Sequence, residues 1–107
     1  MGYNLAVFAW RDELSSHAAR KKAGITFDDV FDAICNTGSH HALADADFTS
    51  FETLLTERLG SGDDAPYTLE RYPRARVVRI AYSDVPRLVA EIGTLARKAG
   101  LTAAGER

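Results

Sequence analysis

The chain has one cysteine, Cys35, so no disulfide can close within it. A reducing, cytoplasmic setting is the natural expectation for such a chain. No apolar run approaches the ~20 residues of a membrane-spanning helix, so no membrane partner is expected. The opening segment "MGYNLAVFAWRDE" has neither the basic leader nor the small-residue cleavage site of a signal peptide. Gly2 makes no acylation signal, because Ala6 stands where Ser or Thr would be needed. There is no G-x-S-x-G elbow around any serine and no Walker-type or G-x-G-x-x-G phosphate loop; "GSGDDA" is acidic where a phosphate would need bare amides or a lysine. Nothing in the sequence fixes a reaction or calls for a cofactor.

What is present is an ordinary globular composition over 107 residues, 46% apolar and 26% charged. That length makes one domain, 1–107, able to bury a core without staples. The net charge of −2 conceals a layout in three blocks. Residues 1–25 carry +2, residues 26–66 carry −8 with Arg58 as their one base, and residues 67–107 carry +4. An acidic middle between basic ends bears directly on the choice of partner.

Tyr3–Trp10 is apolar on both alternating faces and predicts a central strand. Asp12–Ala23 predicts a helix with Leu14 and Ala18 inward. Thr26 caps a stronger helix over 27–36, with Asp28 and Asp29 in its first turn and Phe27, Val30, Phe31 and Ile34 as its apolar stripe. Cys35 joins that stripe as a small core residue. A third helix is expected at 49–59, with Thr49 and Glu52 at capping-box spacing, and Gly60–Pro66 forms a loop. Tyr67–Tyr72 and Ala75–Tyr82 read as strands broken at Pro73, which places the first at a sheet edge. Asp84–Ala99 is the clearest helix in the chain, with a broad apolar face, and 101–104 forms a short edge strand or a tail. The words "ARKKAGIT" and "ARKAGLT" repeat one helix stop: basic residues, a left-handed glycine, then an apolar residue folded back. The order strand-helix-helix-strand-strand-helix predicts an α+β fold, a two-layer sandwich of helices packed on a small, mostly antiparallel sheet.

Candidate chemistry concentrates in "CNTGSHHALADAD". His40, His41 and Asp45 are the weak candidates for metal; adjacent histidines point apart in an extended chain, and the paired spacings of zinc sites are missing. The solvated histidines beside a negative helix end are expected to have raised pKa values. Cys35 lies in the last turn of its helix, where the dipole opposes a thiolate, so no catalytic residue is assigned. The segment "SHAARKKAGITFDDVFDAI" has the outline of a helix-turn-helix. Asp28, Asp29 and Asp32 would stand where bases are read and would repel phosphate, which argues against nucleic acid. Arg71, Arg74, Arg76 and Arg79 form a ridge able to bind an anion, with Arg74 and Arg76 on one strand face; its plainer reading is salt-bridging to the acidic middle segment.

"YSDVPRLVAEIGTLARKAGL" resembles the strand–helix unit of amino-acid-binding regulatory domains of the ACT type through Asp84, Pro86 and Leu88, with Arg87 at the position of the ligand-loop glycine. Tyr3-Asn4-Leu5-Ala6-Val7-Phe8 resembles the opening strand of small bacterial α/β proteins that begin Tyr-Asp-Leu-x-Val-Phe or Trp. Some proteins of that style serve as immunity proteins against toxins, and the resemblance implies a non-enzymatic binding role. The residues themselves suggest the same: Asp28, Asp29, Asp32, Glu52 and Glu57 would form an acidic face against a basic protein partner if their two helices lie side by side. The alternative is a small ligand-binding or enzymatic ferredoxin-like or ACT-like domain. Its anionic ligand would lie at the arginine ridge near Tyr67, Tyr72 or Tyr82, and a homodimer could form by sheet extension.

Overall fold

The computed structural model describes residues 2–62 and 65–105. Asp63 and Asp64, the acidic part of the expected 60–66 loop, and the two residues after Gly105 lie outside that set. Four strands, β1 (Gly2–Phe8), β2 (Tyr67–Tyr72), β3 (Ala75–Ala81) and β4 (Thr102–Gly105), pair antiparallel throughout in the order β2-β3-β1-β4. Four α-helices accompany them: α1 (His17–Lys22), α2 (Phe27–Thr37), α3 (Thr49–Leu59) and α4 (Val85–Lys98). The protein is therefore α+β, with helices packed on a small antiparallel sheet. β1 is central, as its two apolar faces require, and the Pro73-terminated β2 lies at one edge. The chain end expected as strand or tail is the other edge, β4.

Side-chain alternation sends the two faces of the sheet into two cores. Leu5, Val7, Val78 and Ile80 face α3 and α4 and pack with Phe51, Leu55, Leu88, Ile92 and Leu95. Ala6, Phe8, Ala75 and Val77 point the other way and meet Val30, Phe31 and Ile34 of α2. Taken as β1-α3-β2-β3-α4-β4, the connectivity is the split β-α-β plait, with α1 and α2 inserted after β1 and α2 packed on the reverse face.

The repeated helix stop works alike at both sites. Gly24 (φ +74°) and Gly100 (φ +77°) turn left-handed; the Ile25 amide donates to Arg20 O at 2.9 Å and the Leu101 amide to Ala96 O at 2.8 Å. Other expectations need correction. The 12–23 helix is broken: Asp12–Leu14 is a 3-10 turn, and Ser16 starts α1 afresh by accepting from the Ala19 amide at 3.1 Å. Leu14 is only half-buried and Ala18 is exposed. The α3 capping box does not form. Asp47 Oδ1 takes the Thr49 amide at 2.9 Å, while Glu52 turns toward the sheet. Arg74 does not share a strand face with Arg76, because it lies in the turn before β3; Arg71 is the cross-strand neighbour of Arg76.

Candidate functional site

α2 is fixed by its ends. The Thr26 hydroxyl accepts the Asp29 amide at 3.1 Å, and the Asp29 carboxylate accepts the Thr26 amide at 3.4 Å, a reciprocal capping box. Gly38 closes the helix at φ +81°, with Tyr72 of β2 against it. Between these ends Val30, Phe31 and Ile34 are buried on the sheet, which leaves Asp28, Asp29 and Asp32 exposed on the outward side. Cys35 is exposed too, contrary to its expected place in the core. One residue beyond Ile34 is about 100° around the helix, and α2 buries a stripe too narrow to include it.

The structure does not bring the five candidate acids onto one surface. α2 and α3 lie on opposite faces of the sheet, so Glu52 and Glu57 stand across it from Asp28, Asp29 and Asp32. Glu52 is moreover engaged. Arg71 donates to its Oε1 through Nη2 at 2.7 Å and Nε at 3.0 Å, and Arg76 Nε donates to its Oε2 at 2.8 Å. Burial pushes the Glu52 carboxyl upward, but hydrogen bonds from the two arginines and their charges outweigh it, and the pKa falls below the ordinary value.

The arginine ridge is distributed in the same way. Arg76 also donates to Tyr72 O at 2.7 Å and lies 4.3 Å from the Phe48 ring centroid. Arg74 pairs with Asp45 at 2.8 Å. Arg79, on the reverse face, reaches Asn4 at 3.0 Å and Glu70 at 3.4 Å. A concavity of about 470 Å³ does lie beside Arg71 and Tyr67, but the Glu52 carboxylate lines it and no histidine does. An anion entering there would have to displace Glu52.

The histidine loop doubles back beside β1. Ala44 donates to Ala9 O at 2.9 Å, Arg11 to Ala42 O at 3.0 Å, and Leu43 bridges Trp10. The Leu43 amide closes a turn on His40 O at 3.1 Å, so the neighbouring histidines stack at 4.3 Å instead of pointing apart. His40 Nδ1 accepts the Ala42 amide at 3.0 Å. The His40 pKa is lowered, against the expectation of a rise: partial burial comes first, the His41 charge second, and Asp29 opposes both. Asp45 is held by Arg74, and among the described residues no three His, Cys, Asp or Glu side chains gather as a metal site.

The α1–α2 corner is a feature that the sequence reading passed over. Phe8, Trp10 and Phe27 meet edge to face at 4.9 and 5.6 Å. The Arg20 guanidinium lies 4.6 Å from the Trp10 ring centroid and donates to Leu14 O at 2.9 Å. Beside it is a mainly apolar concavity of about 420 Å³ lined by His17, Arg20, Lys21, Gly24, Ile25 and Phe27. Phe27, expected in the buried stripe, is 43% exposed. It is the first residue of α2 and packs on Trp10 outside the sheet core, and its position ahead of Val30 was the available signal. Comparison with protein-family models, with curated proteins and with solved structures finds no match to this chain.

Proposed function

We propose that the protein is a non-enzymatic binding domain, immunity- or antitoxin-like in style, whose α2 surface engages a basic protein partner. The supporting observation is the commitment of the arginines. Arg71 and Arg76 hold Glu52 on the opposite face of the sheet, Arg74 holds Asp45 and Arg79 holds Glu70, and none of these pairs takes in an α2 carboxylate. The eleven residues of α2 contain no base, and Asp28, Asp29 and Asp32 are exposed along it. One helical surface of a single sign steers and orients a partner of opposite sign. A nuclease cleft that ordinarily holds phosphates has the matching chemistry. Glu57 and Glu52, on α3, are outside this surface.

Affinity capture from the source cell provides the test. The wild-type chain retains a basic protein that elutes as salt is raised, and the Asp28→Asn plus Asp32→Asn chain retains much less of it. An empty capture, or one indifferent to the two substitutions, rejects the proposal.

A further inference from the structure

The α1–α2 corner carries opposite charges on its two sides. His17, Lys21 and Lys22 are exposed on α1, which has no acid, while Asp28, Asp29 and Asp32 are exposed on α2, which has no base. Between them lie the 420 Å³ concavity and Phe27. The rest of the α2 apolar stripe is at most 8% exposed, against 43% for Phe27. Among the described residues one other large apolar side chain is as open, Tyr82 at 53%, and it does not line this concavity.

We propose that this corner is the contact face of a homodimer, each copy seating its Phe27 in the concavity between α1 and α2 of the other. Charge complementarity under a two-fold axis selects a second copy as the occupant. A basic partner centred on this corner, and not on the outer side of α2, meets repulsion from Lys21 and Lys22, and an acidic one meets it from Asp28 and Asp29. A second copy rotated by half a turn sets the α1 bases of each chain against the α2 acids of the other, both pairings following from one operation. The exposed aromatic then becomes the buried central anchor that stable contacts need, and the charges become its rim. The contact requires Phe27 and the α1 bases, which the basic-partner proposal does not use. It shares with it only the first turn of α2, so the two complexes compete.

Sedimentation of the full chain from low micromolar to submillimolar concentration tests this. The wild type associates as concentration rises. Lys21→Glu and Asp28→Lys each weaken association by at least about tenfold, because each sets like charges together twice. An equimolar mixture of those two chains associates again, since both cross-chain pairs are then opposite in sign. Phe27→Ala lowers association with the charges unchanged. A wild type that stays monomeric, charge variants that associate as it does, or a mixture no better than its components overturns the proposal. Lysate capture with the Lys21→Glu chain separates the two accounts: it keeps all the α2 carboxylates, so a basic partner is still retained even where self-association is lost.

Discussion

Gly38 carries two requirements at once. Its φ of +81° is left-handed, and a Cβ there would stand 2.7 Å from Tyr72 Cδ1. Gly38→Ala is expected to cost ~1–3 kcal/mol, read as a lower denaturant midpoint. His40 contributes a pH dependence. Its folded pKa lies below the ordinary 6.5, so the unfolded chain takes up a proton that the folded chain resists. That contribution is present above 6.5 and is lost as pH falls from there through the depressed folded value. His40→Gln should flatten the stability–pH curve in that window. Glu52 acts by the same sign lower on the scale. Its pairing with Arg71 and Arg76 stabilises the fold above about 4.5 and is lost as pH falls through its own depressed pKa. Glu52→Gln should remove that acid-side fall and leave the histidine window in place.

The elements were legible where one local rule decided them. Thr26 and Asp29 announce α2, and Thr26→Ala is expected to cost ~1 kcal/mol in thermal or chemical unfolding. The twin glycine stops were readable because left-handed turn, basic last turn and returning apolar residue all recur. Local spacing misled where tertiary partners competed. Thr49 and Glu52 have capping-box spacing, yet two arginines on the facing strands draw Glu52 away, and Asp47, one residue before the Phe48 N-cap, accepts the Thr49 amide. Cys35 was misplaced because spacing from Phe31 says which turn a residue is on, not how wide a stripe the sheet will cover. In the α3–α4 core the stripe was readable, and Phe51, at 0% exposure, sets the scale. Phe51→Ala should destabilise by ~3–5 kcal/mol through lost burial and the cavity left behind.

For the molecule as a whole, the sheet decides what the charge blocks mean. The sequence supplies an acidic middle between basic ends, but it does not say that α2 and α3 fall on opposite faces. That follows from the two-sided apolar character of β1 and from an insertion long enough to cross the sheet, and neither fixes the choice of face in advance. The consequence is a division of labour among the acids. Asp45, Glu52 and Glu70 neutralise arginines within the fold, and the α2 carboxylates remain on the outer surface. We propose that this outer surface recognises a basic partner. The most direct test is the dissociation constant of the captured partner for three chains at low salt: wild type, Asp28→Asn plus Asp32→Asn, and Glu57→Gln. About tenfold or greater weakening is expected for the α2 pair, shrinking as salt rises, with Glu57→Gln close to wild type. Equal affinity for wild type and the α2 pair, or a loss centred on Glu57, would contradict it.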